Sequence, residues 1–381
     1  MPDRFDTRVL HEAERCVEGA ASLPIFRSTV WELPPGTAYA DIRYPRLNNL
    51  PNQTVVARKI AALEGYEAGL VTASGMAAIL ATLVGLFRPG DHLLVGDTVY
   101  GGTHSLVVGE LADRGITVTR VDGSDPGSWT RALRPESRGL YLEPLTNPLL
   151  AVADLAAIAP FCRAQGLLSV VDNTFASPVF FQPGRHGIDV SLHSATKYLN
   201  GHSDVAAGCV SGSKALVQRI TNKANLLGGS LDPQAAWLLH RGTKTLGLRV
   251  RHQAASALHV ARWLEGHEAI ARVNHPGLPS HPQHALASQV LSGHGACFSF
   301  TLGEPGRAEA VARSLRLFTY SASLGGVESL VVIPAKSSHA GMAAEDRAEA
   351  GISEGLIRVS IGLEDPEDLL EDLAQALAAK S

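Results

Sequence analysis

Short apolar runs recur along the first part of the chain, separated by stretches with helical spacing. Residues 69–72, 92–95, 117–121, 139–142, 167–171, 189–193 and 206–210 read as strands, being brief, often β-branched and bounded by turn formers. Helical segments separate most of them, which predicts β-α-β units and a mainly parallel sheet. Within residues 54–63, Val55, Val56, Ile60 and Leu63 fall near helical spacing, with Gly65 placed to end the helix. Residues 245–265 read as a long helix with Leu248, His252, Ala255 and Leu258 on one side and Arg249, Arg251 and Arg262 elsewhere. Beyond it, residues 296–302, 329–333 and 357–361 read as strands interleaved with helices at 307–315 and 366–378. Pro24, Pro34, Pro35, Pro45 and Pro51 break every candidate helix near the start. The pattern predicts an N-terminal arm (1–55), a large α/β domain (56–245) and a smaller α+β domain (246–381).

Two of the strands run into reactive groups. Asp172 follows the run 167–171, and Lys197 lies 25 residues on, just past 189–193. Open α/β sheets bind ligands beyond the carboxyl ends of their strands. An amine and an acid so placed are what pyridoxal phosphate (PLP) requires. The amine holds the aldehyde as a Schiff base, and the acid keeps the pyridine nitrogen protonated. Taken singly, Asp172 reads first as a helix cap and Lys197 as a surface cation; the pair, with Lys197 inside Ser194-Ala195-Thr196-Lys197-Tyr198, points to the cofactor. Thr72-Ala73-Ser74-Gly75-Met76 adds a turn of backbone amides at a helix start, suited to a phosphate. Arg358 sits in an apolar strand, where burial without an anion is costly.

Composition narrows the partners. With 45% hydrophobic and 18% charged residues, the 381-residue chain reads as globular and large enough for two or three domains. A net charge of −4 without any basic run argues against nucleic acid or an anionic membrane, and for a small molecule. The N-terminus lacks the apolar core of a signal peptide and no stretch is long enough to span a bilayer, so a cytoplasmic location is expected. Cys16, Cys162, Cys209 and Cys297 show no Cys-x-x-Cys pair and are expected as reduced, mostly buried thiols. The 15 histidines are scattered without a His-Glu-x-x-His, so no metal is predicted.

Four motifs in order carry a resemblance: Asp172-Asn173-Thr174-Phe175, the run Ser194 to His202, Ser323-Leu324-Gly325-Gly326-Val327-Glu328-Ser329, and Gly351 to Ser360. Nearly end to end, the chain resembles the Cys/Met-metabolism family of PLP enzymes, the cystathionine γ-synthase and lyase group. The resemblance implies a PLP-dependent transferase fold (aspartate aminotransferase-like, fold type I) and a homodimer at least, usually paired into a homotetramer. It implies that Gly75, Met76, Ser194 and Thr196 contact the phosphate, while Tyr100 lies over the ring and serves as acid or base. Tyr44 and Arg46 reach the phosphate of a neighbouring subunit. Arg358 clamps the substrate α-carboxylate with help from Asn147, and Ser323 orients Lys197. The chain departs from the family after Arg46, reading Leu47-Asn48-Asn49-Leu50-Pro51-Asn52 with one extra residue, which leaves the role of Asn49 open.

The same resemblance implies carbon-sulfur bond chemistry, with γ-elimination from methionine, homocysteine or cystathionine as the expected reaction. The alternatives are γ-replacement by a synthase or sulfhydrylase, and β-elimination. Members that handle cystathionine by γ-chemistry carry Glu where this chain has Ala322, which favours an uncharged tail; typical methionine γ-lyases have Cys where it has Gly102. Gly351-Ile352-Ser353-Glu354-Gly355 also matches the Gly-x-Ser-x-Gly of serine hydrolases. That elbow needs strand, turn and helix in order, whereas here a helical stretch precedes Ser353 and a strand follows.

Overall fold

A computed structural model describes residues 4–14, 16–38 and 41–379. The first sheet contains β1 (Ala68–Thr72), β2 (His92–Gly96), β3 (Thr117–Val121), β4 (Ser137–Leu142), β5 (Leu168–Asp172), β6 (Val190–Ser194) and β7 (Gly208–Gly212). Their order is β1-β7-β6-β5-β4-β2-β3. Neighbours from β6 through β3 pair parallel, while β7 runs antiparallel to both β1 and β6. Every residue of β2 and β7 is buried, as expected of a sheet covered on both faces. The helices Gly75–Leu86 and Lys214–Leu227 pack together on this sheet, and Pro51–Glu64 packs on β1 and β7.

The second sheet has the order β10-β11-β12-β9-β8, built from β8 (Ile270–Asn274), β9 (Cys297–Leu302), β10 (Thr319–Tyr320), β11 (Leu330–Val332) and β12 (Leu356–Ser360). The long helix Leu246–Glu265 packs on β8 and β9 and on the C-terminal helix Pro366–Ala378. It also touches the short helix Ser177–Phe180 that follows β5.

Three features differ from the expectation. Leu248, grouped with the apolar side of the long helix, is 74% exposed, whereas Arg249 is buried with Val250, Ala257, Val260 and Leu264. Arg249 is tolerated there because its guanidinium donates to the carbonyls of Tyr198 and Gly242 and to Thr245 Oγ1. The strand β8 is half exposed along its first residues, so its sequence lacks the apolar signature of an interior strand. Phe5–His11 forms a helix in the stretch expected to be extended, its residues preceding the first breaking proline. Cys162, Cys209 and Cys297 are buried and Cys16 is exposed, all as free thiols. Among the described residues, no helix is long and apolar enough to cross a membrane.

Candidate active site

Parallel strands leave their C-terminal ends facing one side of the sheet, and a cleft of about 620 Å³ opens there, closed from the other side by Ala322, Ser323, Leu324, Ser337, Ser338 and Arg358. Asp172 ends β5, Glu143 follows β4, and Ser194 ends β6 just before Lys197. The cleft brings together Gly75, Met76, Tyr100, Asn147, Asp172, Ser194, Thr196, Lys197, Ala322, Ser323 and Arg358, all singled out from the sequence. Tyr44 and Arg46 do not line it. Both are exposed, and Arg46 Nη1 donates to the Asn225 carbonyl at 3.2 Å.

The helix Gly75–Leu86 is capped by Ser74, whose Oγ accepts from the Ala77 amide. A Cβ at position 75 would lie 2.8 Å from Ser194 Cβ and 2.9 Å from Ser194 Cα, so only glycine lets the helix start approach the end of β6 this closely. Amides at a helix start, facing a serine across a narrow gap, form a cradle for an anion. The Thr196 hydroxyl is engaged with Ala207, donating to its carbonyl and accepting from its amide.

Thr174 ties two strand ends together: its hydroxyl donates to Asp172 Oδ1 and accepts from the Ser194 amide, and its own amide also donates to Asp172 Oδ1. Among the described residues, Asp172 Oδ2 receives only the Tyr141 hydroxyl, at 3.3 Å. Burial raises the Asp172 pKa above the usual carboxylate value, against the hydrogen bonds from Thr174 and the charge of nearby His193. Burial and the field of Asp172 push Glu143 well up. Lys197 Nζ donates to Ser323 Oγ at 2.6 Å, and burial with the neighbouring Arg358 charge lowers its pKa to about 8. Arg358 is buried, with Nη2 donating to the Ser323 carbonyl at 2.6 Å and Nη1 to Asn147 Oδ1 at 3.1 Å. Its Nε has no partner among the described residues. Ser323 therefore touches both cations, and it does so with φ at +87°, a conformation that non-glycine residues hold only where surroundings enforce it.

These features fit PLP. A buried carboxylate oxygen with one distant donor suits the ring N–H, a depressed lysine suits the aldehyde, and the glycine-lined helix start suits the phosphate. Sequence reasoning assigned no role to Glu143, Thr174, Phe175, Leu324, Ser337 or Ser338, all in the cleft wall. Thr174, Phe175 and Leu324 had a sequence signal, as parts of the Asp172-Asn173-Thr174-Phe175 and Ser323 to Ser329 motifs. Asn49, left open, closes the loop around Tyr44: its Oδ1 accepts from the Tyr44 amide and its Nδ2 donates to the Ile42 carbonyl. Ser353 lies in a turn between the helix Ala344–Glu349 and β12, away from the cleft and in the reverse order to a hydrolase elbow. Among the described residues, no three His, Cys, Asp or Glu side chains gather as a metal site.

Fold and site together define a PLP-dependent enzyme of the aspartate aminotransferase-like, fold type I class. A model of the Cys/Met metabolism PLP-dependent enzyme family matches residues 6–378, and the chain belongs to that family, with pyridoxal 5'-phosphate as its cofactor. The cystathionine gamma-lyase of Bacillus subtilis (strain 168) is 44% identical over 360 residues, covering 94% of each chain. The L-methionine gamma-lyase of Pseudomonas putida is 40% identical over 390 residues, covering 99% of this chain and 98% of that one. The crystal structure of cystathionine gamma-lyase from Lactobacillus plantarum complexed with L-serine superimposes with a TM-score of 0.94 at 40% identity over 98% of both chains. The family, fold class and cofactor expected from the sequence are thus borne out.

Proposed function

We propose that this protein is a carbon-sulfur lyase carrying out γ-elimination on methionine, homocysteine or cystathionine, with a thiol, 2-oxobutyrate and ammonia as products. One observation carries the choice: Ala322, Leu324, Ser337 and Ser338 bring no carboxylate to their side of the cleft, so among the described residues that wall offers a distal ammonium no ionic partner. An uncharged tail, such as that of methionine, suits this wall best.

Bound at Asp172 and Lys197, PLP supplies an electron sink for negative charge at the substrate Cα. Arg358 binds the α-carboxylate, a bidentate match for a guanidinium, with Asn147 holding its Nη1. Asp172 would accept the ring N–H through Oδ2. Lys197 Nζ, neutral in useful amount because its pKa is near 8, takes the Cα proton, and Ser323 Oγ aims it. A second proton leaves Cβ, and Tyr100 or Lys197 gives a proton to the departing sulfur. The amides of Gly75 and Met76, with the Ser194 hydroxyl and that of Thr196 once turned from the Ala207 carbonyl, would hold the phosphate. Tyr44 and Arg46 complete the phosphate site of a neighbouring subunit from the arm (1–55), which makes the protein a homodimer at least and, by pairing of dimers, a homotetramer. The remaining chain divides into a PLP-binding unit (56–245) and a C-terminal unit (246–381).

Cystathionine β-lyases and an O-succinylhomoserine sulfhydrylase are also similar to this chain, so the assay must separate elimination from replacement. The PLP-loaded protein is given methionine, homocysteine, cystathionine, and O-succinylhomoserine with cysteine, and 2-oxo acids, thiols and cystathionine are measured. Thiol with 2-oxobutyrate supports the proposal; cystathionine formation without elimination, or pyruvate as the only oxo acid, overturns it.

A further inference from the structure

Glu143 is a buried carboxylate in the cleft that none of the steps above uses. It follows β4, which lies between β2 and β5. Leu142 pairs with Val171, so Glu143 stands beside Asp172 at the ends of neighbouring strands. On its other side is the loop that leaves β2 and carries Tyr100. Glu143 Oε1 accepts the Tyr100 main-chain N–H at 2.8 Å, and Tyr100 has no side-chain cap of its own at the start of the following helix Gly101–Ser105. Tyr100 is 42% exposed, and this main-chain bond sets where its side chain begins. A buried carboxylate next to another carboxylate is costly to keep, and the Tyr100 amide is the donor that Glu143 holds.

We infer that Glu143 is a positioning residue, fixing Tyr100 in the cleft through its bond to the Tyr100 amide. This inference rests on the role given to Tyr100 above. Burial and the field of Asp172 raise the Glu143 pKa well above the usual carboxylate value, with Asp172, Tyr141 and Tyr100 as the titratable groups around it. The bond to the Tyr100 amide uses an acceptor oxygen, and glutamine supplies one.

The test is a double-mutant cycle on the holoenzyme, using Glu143→Ala, Glu143→Gln and Tyr100→Phe, with kcat expressed per bound PLP measured by absorbance. Misplacing a reacting group costs about tenfold to a hundredfold in rate, so Glu143→Ala lowers kcat by that amount while KM changes by less than about threefold. Glu143→Gln recovers most of the loss. In the Tyr100→Phe background, Glu143→Ala costs less than about threefold more. An equal loss from Glu143→Ala in both backgrounds, with Tyr100→Phe itself impaired, overturns the inference alone. Glutamine as damaging as alanine also overturns it, by showing that the charge matters. Tyr100→Phe turning over at the wild-type rate overturns the role of Tyr100 itself, and the inference with it.

Discussion

Gly75→Ala tests the phosphate cradle without reference to the reaction. The added Cβ would meet Ser194 Cβ at 2.8 Å and Ser194 Cα at 2.9 Å, where relaxed carbon contacts lie at about 3.5–4.0 Å. Ser194 cannot swing aside, because one of the two atoms is backbone at the end of β6 and its amide is bonded to Thr174. The helix start and the strand end must therefore part by roughly 0.6 Å or more, widening the cradle. Overpacking of this kind costs about 1–3 kcal/mol. If the strain is relieved by opening the cradle, it reappears as lost cofactor affinity, a rise in Kd of about 5-fold to 150-fold. Titration of the apoenzyme with PLP, followed by absorbance, measures this directly. Gly109→Ala is the control, since a Cβ there meets nothing within 4 Å and Kd should not change. A Gly75→Ala protein that binds PLP within about twofold of the wild type would refute the reasoning.

Other consequences are open to measurement. The Lys197 amine, lowered to about 8, must be neutral to act as a base, so kcat should rise with pH and level off above about 8; Ser323→Ala, which removes its hydroxyl partner, should lower kcat about tenfold with PLP still bound. A kcat flat between pH 6 and 9 would contradict this. His275, His281 and His339 are buried, and burial lowers them from the ordinary 6.5 to about 3, 4 and 4. The unfolded chain takes up protons there that the fold refuses, so stability is full above pH 6.5 and is lost as pH falls toward 4. Thermal melting of the holoenzyme between pH 7.5 and 5 should show a falling Tm; a constant Tm would count against it. Lys59 is fully buried with Glu14 Oε1 at 2.6 Å, and Lys244 Nζ lies 3.1 Å from the same oxygen. Glu14→Gln strands that buried cation, so urea unfolding should show a loss of about 2–4 kcal/mol, and no loss would mean that the Val9 carbonyl alone satisfies Lys59.

Much of the large sheet was legible because most of its strands are short, rich in apolar and β-branched residues and bounded by turn residues; all seven occur within two residues of where the pattern places them. Asp172 and Lys197 were legible for a related reason, since a strand end fixes where a polar side chain emerges. β8 was not, because an exposed edge strand such as Ile270–Asn274 has no reason to be apolar along its length. The buried face of Leu246–Glu265 was misread because Arg249 finds one of its carbonyl partners in Tyr198, 51 residues away, which no local pattern encodes. Glu143 escaped notice for the same kind of reason: its bond to Tyr100 spans 43 residues and depends on the order of strands in the sheet.

The measurement that bears most directly on the account is the ratio of kcat/KM for methionine to that for cystathionine, in the wild type and in Ala322→Glu. With an uncharged wall, the wild type should release thiol and 2-oxobutyrate from methionine. A carboxylate at position 322 should shift the ratio toward cystathionine by about tenfold or more, the worth of one new partner for an ammonium. An unchanged ratio, or a wild type that forms cystathionine while leaving methionine untouched, would contradict the assignment.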